Sequence, residues 1–309
     1  MSEAPTGVFV LAYGTPETLD DVEAYYTHIR NGRPPTPEAL EDLRERYRLV
    51  GGRTPLLDLS QSVADQLQQR LDTDVSGRYK VYLGMKHWHP FIGDVVPKIV
   101  ADGVQEVIAV VLAPHYSRYS LEGYRKYINK ALDHVENPFT LHFIESWHTH
   151  PLFLQMTARR IREAMERFPA SARDQIKVVF SAHSLPEKIV AMGDPYPQYL
   201  KESAAAVAKL LEIEDWRFCY QSAGNTGEPW LGPDILEYLD ELASEGVKYV
   251  LSVPFGFVAE HLEVLWDIDT EAQQKAAEHG IMLHRIAMPN ADAEFVEVIQ
   301  AVVADANRQ

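Results

Sequence analysis

The sequence predicts an α/β protein made of two similar units, each built on a parallel sheet. Six short runs rich in β-branched residues are separated by amphipathic stretches of helical length, the pattern of strands buried on both faces. Their spacing divides them three and then three. The groups also repeat: Val8-Phe9-Val10-Leu11-Ala12-Tyr13-Gly14-Thr15-Pro16 matches Val178-Val179-Phe180-Ser181-Ala182-His183-Ser184-Leu185-Pro186, and Val110-Val111-Leu112-Ala113-Pro114 matches Val250-Leu251-Ser252-Val253-Pro254.

In chain order the expected strands are Val8 to Tyr13, Lys80 to Met85, Val107 to Ala113, Lys177 to Ser181, Arg217 to Gln221 and Lys248 to Pro254. Between them, sets such as Val63, Leu67 and Leu71, or Val207, Leu210 and Leu211, recur near the helical period and belong to the core. The stretch Arg33-Pro34-Pro35-Thr36-Pro37 stops helix before Glu38 and could form a lip. Residues 1–141 with the C-terminal helix 286–309 are expected to form the first unit, and 142–285 the second.

Composition narrows the function. Hydrophobic residues make up 46% and charged residues 24%, an ordinary globular balance, and 309 residues suit two domains. A net charge of −16 opposes binding to nucleic acid or anionic lipid. The longest apolar run, Val107 to Ala113, falls short of the roughly 20 residues that span a bilayer. The single cysteine, Cys219, allows no internal disulfide and fits a reducing, cytoplasmic location.

Titratable residues stand where two predicted strands give out, the place where parallel sheets collect ligands. His183 follows Val178-Val179-Phe180 between small neighbours. A lone histidine there is more often a core residue, yet neutral imidazole is the natural proton acceptor near its unperturbed pKa of about 6.5. Glu263, Asp267 and Glu271 recur every fourth residue, so a helix would stack them on one face at about 6 Å intervals. A solvated acidic face explains such a stripe as readily as a metal path. His261 and the apolar Val264, Leu265 and Trp266 around Glu263 favour a divalent ion that is held and released. His87 with His89, and His148 with His150, form HxH pairs with no third ligand in view, which reads as surface or cap histidines. Arg30, Arg33, Arg44, Arg46, Arg48 and Arg53 concentrate positive charge in the first unit and could receive an anionic ligand or form helix-surface ion pairs. No GxSxG, GxGxxG or GxxxxGK[ST] word follows a strand, which disfavours acyl transfer and nucleotide chemistry.

Seven words in order carry a resemblance: AYGTP at Ala12, YRLVGGRTPL at Tyr47, LAPHYS at Leu112, SAHSLPEKI at Ser181, GDPYP at Gly193, QSAGNTGEPWLGPD at Gln221 and PFGFVAEHLEVLWDID at Pro254. Through them nearly the whole chain resembles the ferrochelatases. The resemblance implies two Rossmann-like domains, each a four-stranded parallel sheet flanked by helices, with a porphyrin cleft between them. It implies that His183 and Glu263 form an opposed catalytic pair, that His183, Glu263, Asp267 and Glu271 handle the metal, and that Tyr13, Arg30, Arg46, Thr54 and Tyr124 meet porphyrin or the outer metal site. Lys86 and His87 lie near that region, and Tyr13 would face His183 from the other side of the ring. Threonine replaces the commoner serine at position 54.

The short stretch between Tyr25 and Tyr47, with Tyr13, looks like the branch of the family in monoderm bacteria that metallates coproporphyrin III. The expected activity is insertion of Fe²⁺ into coproporphyrin III to give coproheme in heme biosynthesis. The same chemistry on protoporphyrin IX is the near alternative, followed by cobalt or nickel insertion into a sirohydrochlorin-like ring, a noncatalytic tetrapyrrole or metal carrier, and a histidine-based phosphatase. Fe²⁺ and porphyrin enter as substrates with no organic cofactor. One cysteine excludes the four-cysteine [2Fe-2S] cluster of some relatives. A monomer is expected, with transient contact to downstream heme-pathway enzymes left open.

Overall fold

The computed structural model describes residues 4–74, 76–224 and 226–308, so Asn225 of the glycine-rich word lies outside the described residues. Two parallel sheets organise the chain. Strands β1 (Thr6–Ala12), β2 (Tyr79–Met85), β3 (Glu106–Val111) and β4 (Thr140–Ile144) assemble in the order β2-β1-β3-β4. Strands β5 (Lys177–His183), β6 (Trp216–Gln221), β7 (Tyr249–Val253) and β8 (Met282–Arg285) repeat it as β6-β5-β7-β8. All six predicted strands are present. The two unpredicted ones, β4 and β8, are short edge strands whose Thr-Leu-His-Phe-Ile and Met-Leu-His-Arg sequences lack a β-branched apolar run. The cut expected at Leu141 falls inside β4, and the first sheet closes at Ile144.

Helices α1 (Val22–Ile29), α2 (Pro37–Leu49), α3 (Leu56–Asp74), α4 (Ile92–Ala101), α5 (Glu122–Leu132), α6 (Pro151–Met165), α7 (Lys188–Ala191), α8 (Tyr196–Leu211), α9 (Ile235–Ser244), α10 (Gln273–Glu278) and α11 (Ala293–Ala306) flank the sheets. Thr36 caps α2 by accepting from Ala39 N–H, which places the Pro-rich segment at a helix start. Strand alternation divides the burial. Val8, Val10 and Ala12 face one core while Phe9 and Leu11 face another. The first of these cores is shared, because Val178, Phe180 and Ala182 of β5 join it through α6, α8 and α11. The C-terminal helix packs on α3 and β3 and also on α6, so it locks the two sheets together. Among the described residues no helix is long and apolar enough to cross a membrane.

Both sheets reverse their winding beside the first strand of the repeat, between β1 and β3 and between β5 and β7. Tyr13 follows β1, His183 ends β5, and Glu263 follows β7. These are the switch points at which α/β sheets leave a crevice.

Candidate active site

His183 and Glu263 meet. His183 Nε2 lies 3.4 Å from Glu263 Oε1, and His261 Nε2 lies 3.4 Å from Glu263 Oε2, so one carboxylate sits between two imidazoles. The expected opposed pair therefore occupies a single wall, because adjacent strands β5 and β7 of one sheet deliver both side chains. Gly256 permits this approach: a Cβ there would lie 2.6 Å from Ala182 Cβ. His183 Nδ1–H donates to the Ser184 carbonyl, which leaves Nε2 as the basic nitrogen of the neutral ring. His261 Nδ1–H donates to the Ala259 carbonyl at 3.0 Å.

About a third of each side chain of the pair is exposed, and protein surrounds the rest. Burial lowers the His183 pKa, but the Glu263 charge, its hydrogen bond and the Ser184 carbonyl outweigh it and raise the value to about 9. Burial likewise opposes ionisation of Glu263, and His183 followed by His261 overcomes it, holding the carboxyl well below its usual range. The resting pair is imidazolium and carboxylate.

Beyond Glu263 the chain forms a π-helix, Val264–Ala272, in place of the expected α-helix. Such i→i+5 turns are rare and concentrate at functional sites. Asp267 is buried in it at 8% exposure and accepts from the hydroxyl of Ser222, a non-glycine residue at φ +62. Burial and the neighbouring Glu263 push Asp267 up to about 7, against the Ser222 donor and the Arg46 charge. Asp267 and Glu271 line a small groove with Arg46, Ser222 and Asp234. Among the described residues no cluster of three or more His, Cys, Asp or Glu side chains is arranged to hold a metal ion. The carboxylates form a row rather than a cage.

The first unit presents a different wall. Tyr13, 41% exposed, leans 4.6 Å from the His87 ring and feels the Glu263 charge; burial first, then that charge, raises its pKa. Tyr25 and Tyr47 are buried behind it with pKa values raised by burial, and Tyr25 donates to the Gly14 carbonyl at 3.1 Å. Thr54 is 2% exposed and bonds Thr15 at 2.8 Å, while Tyr124 is 5% exposed beneath Lys86. Both therefore lie behind the surface that a ligand would touch. Burial lowers Lys86 to about 8, and burial with the Lys86 and His28 charges lowers His87 to about 3.

The HxH pairs behave as structural histidines. His87 is buried against His28, with 3.0 Å between their Nδ1 atoms, while His89 is exposed, so the two rings do not share one side. His148 stacks on Tyr199 with ring centroids 4.1 Å apart and bonds Glu202, and His150 meets Asp305. Of the six arginines, Arg44 pairs with Glu23, Arg48 with Glu41 and Glu45, and Arg53 with Asp58. Arg30 and Arg46 are exposed and lie instead over the rings of Tyr26 and Trp266.

Sequence reasoning missed a supporting layer around His183. Buried Asp194 accepts from Ser117 Oγ at 2.9 Å and Arg118 N–H at 2.8 Å, in the loop after β3, and from Tyr196 N–H at 3.0 Å. Tyr196 O–H then donates to the His183 carbonyl at 3.0 Å. The GDPYP and LAPHYS words contained these residues, but their pairing across 77 positions leaves no periodic signal.

The profile of one protein family, Ferrochelatase, matches residues 5–307. A ferrochelatase of Herpetosiphon aurantiacus is 54% identical over 97% of this chain and 98% of its own. A coproporphyrin III ferrochelatase of Anoxybacillus flavithermus is 43% identical over 98% and 96%, and coproporphyrin III ferrochelatase 1 of Bacillus anthracis 44% over 96% of each. Among solved structures, SirB from Bacillus subtilis with Fe³⁺ superposes with a TM-score of 0.58 at 12% identity, covering 99% of this chain and 98% of that one, a likeness of fold. The chain belongs to the ferrochelatase family and is a porphyrin metal chelatase, a lyase.

Proposed function

We propose that this ferrochelatase inserts Fe²⁺ into coproporphyrin III, giving coproheme, with His183 as proton acceptor and Glu263 as the group that delivers the ion. Insertion replaces two pyrrole N–H protons by one Fe²⁺, so two protons must leave the ring as the metal enters. A divalent ion arriving at Glu263 cancels the charge that holds His183 protonated. The imidazole then sheds its proton, and Nε2 becomes free to take one from a pyrrole. Asp267, titrating near neutrality, and Glu271 supply an oxygen-lined approach to Glu263 that binds the ion without caging it. No organic cofactor enters this scheme, and a monomer suffices for it, since every group named belongs to one chain.

The observation that favours coproporphyrin is the pair Arg30 and Arg46. In a protein of net charge −16, these two exposed guanidinium groups, like that of Arg33, make no ion pair among the described residues, whereas Arg44, Arg48 and Arg53 do. Four propionates offer twice the negative charge of two for such groups to meet. Relatives at 43 to 44% identity are named coproporphyrin III ferrochelatases. The test is anaerobic turnover with Fe²⁺ and each porphyrin, followed by absorption. The expected result is a kcat/KM for coproporphyrin III at least about tenfold above that for protoporphyrin IX, narrowing as salt screens the arginines. Equal turnover, or a preference for protoporphyrin, overturns the assignment.

A further inference from the structure

We infer that Arg285 is a positioning residue for iron handling: it fixes the register of the π-helix and so the placement of Asp267 and Glu271, the carboxylates that follow Glu263. Arg285 ends β8, an edge strand that contributes nothing else to the site. Its Nε donates to Asp269 Oδ1 and its Nη2 to Asp269 Oδ2, each at 2.7 Å. Nη2 also donates to Glu260 Oε1 at 3.1 Å, and Nη1 to the Ile286 carbonyl at 3.0 Å. The guanidinium is only 14% exposed, and its partners are about a third exposed.

Glu260 precedes Glu263 in the chain and Asp269 follows it inside the π-helix, so one guanidinium grips the carboxylate's segment at both ends. Asn290, in the loop after β8, reinforces the near end. Its Oδ1 accepts from Glu260 N–H at 2.9 Å, and its own N–H donates to the Val258 carbonyl at 2.7 Å. At the far end the Arg285 grip on Asp269 adds to the Ser222–Asp267 bond and to the fully buried Ile268 and Ala272. A π-helix holds one more residue per hydrogen-bonded turn than an α-helix, and a slip of one residue into the α register would turn the side chains beyond it by about 100° around the axis. Such a slip would carry Asp267 away from Ser222 and both Asp267 and Glu271 out of the groove, and would break the Asp269 contact with Arg285. A planar fork on a carboxylate admits one orientation of Asp269, which a lysine ammonium cannot enforce.

The role rests on Glu263 handling the ion, so Glu263→Gln is assayed beside Arg285→Lys and Asp269→Asn on the full chain. Three quantities are read: KM for Fe²⁺, kcat, and the Kd of coproporphyrin III by fluorescence titration. In Arg285→Lys the KM for Fe²⁺ is expected to rise about tenfold or more, the scale of lost outer-shell support at metal sites. Porphyrin Kd and the urea midpoint stay near wild type. Asp269→Asn moves the same way, and Arg285→Lys/Asp269→Asn is no worse than the more impaired single variant. Arg285→Lys with a wild-type KM for iron while Glu263→Gln raises it overturns the role of Arg285 alone. An unchanged KM in Glu263→Gln removes the basis for both. Porphyrin Kd weakening in step with KM would make Arg285 a brace of the whole domain and also overturn the inference. Should Arg285→Lys fail to fold, Asp269→Asn decides by the same readouts.

Discussion

The ends of β1 and β5 occupy equivalent places in a repeated topology, yet they carry opposite electrostatics. The repeat sets Tyr13 where His183 stands. At the end of β1, the phenols of Tyr13, Tyr25 and Tyr47 are protonated, their pKa values raised further, and burial keeps His87 neutral. At the end of β5, an imidazolium and a carboxylate face each other at 3.4 Å, with a third titrating group, Asp267, close by. A duplicated scaffold has thus been divided into a wall that shapes and a wall that exchanges protons and metal. The cause is local: one nearby carboxylate raises the pKa of both a phenol and an imidazole, and the protonated form it favours is neutral for the phenol and cationic for the imidazole.

The sharpest way to break this comparison is to remove the two equivalent residues in turn. His183→Ala should lower kcat by about 10² to 10⁴, the range for a lost general base, with porphyrin still bound. Tyr13→Phe should cost less than about tenfold, since its hydroxyl is not expected to ionise. Steady-state metallation measures both; equal losses would mean the two walls share the proton chemistry, and full turnover in His183→Ala would remove His183 as the proton acceptor.

A second test uses pH. If His183 must be neutral to act, kcat/KM should rise with pH toward about 9, the value raised by Glu263. Glu263→Gln removes the two largest supports and leaves burial opposed by the Ser184 carbonyl and Asp267, so the His183 pKa should fall from about 9. The rise of the residual activity should then move to lower pH. Stability carries the matching sign. The raised His183 value contributes stability in full below about 6.5 and loses it as pH rises through about 9; the depressed Glu263 value contributes above about 4.5 and loses it on acidification. Denaturant midpoints taken across pH 5 to 10 read the His183 part, and midpoints below about pH 4.5 read the Glu263 part.

The smallest expected effects compare two glycines. A Cβ on Gly14 would lie 2.8 Å from Trp88 N, and its φ of +101 is one that other residues avoid; a Cβ on Gly256 would meet Ala182 but faces no such φ penalty. Gly256→Ala should destabilise by about 1 to 3 kcal/mol through crowding, and Gly14→Ala by about 1 to 2 kcal/mol more through its backbone. Urea unfolding gives both, and the reverse order would mean that the β5 end is the less yielding of the two.

Much of this was legible in the sequence. The apolar runs gave six of eight strands; β4 and β8 were not legible because Thr-Leu-His-Phe-Ile and Met-Leu-His-Arg are short, interrupted by polar residues and without a β-branched apolar run. His183, Glu263 and Asp267 were readable from strand ends and fourfold spacing. That His183 and Glu263 share one wall was not, because it depends on β5 and β7 being neighbours in space. The burial of Thr54 and Tyr124 and the two-ended grip of Arg285 arise from packing between distant segments. Spacing along the chain does not encode them.

The Asp194 knot bears on how the site can admit its substrate. Separating the loop after β3 from the start of α8 would strip a buried carboxylate of Ser117 and Arg118, at several kcal/mol for an unpaired buried charge, and would loosen the Tyr196 hydroxyl that holds the His183 carbonyl. That corner is the firmly tied edge of the site, where one buried carboxylate accepts three hydrogen bonds, whereas at the opposite edge Arg46 meets Trp266 by a ring contact of 5.8 Å.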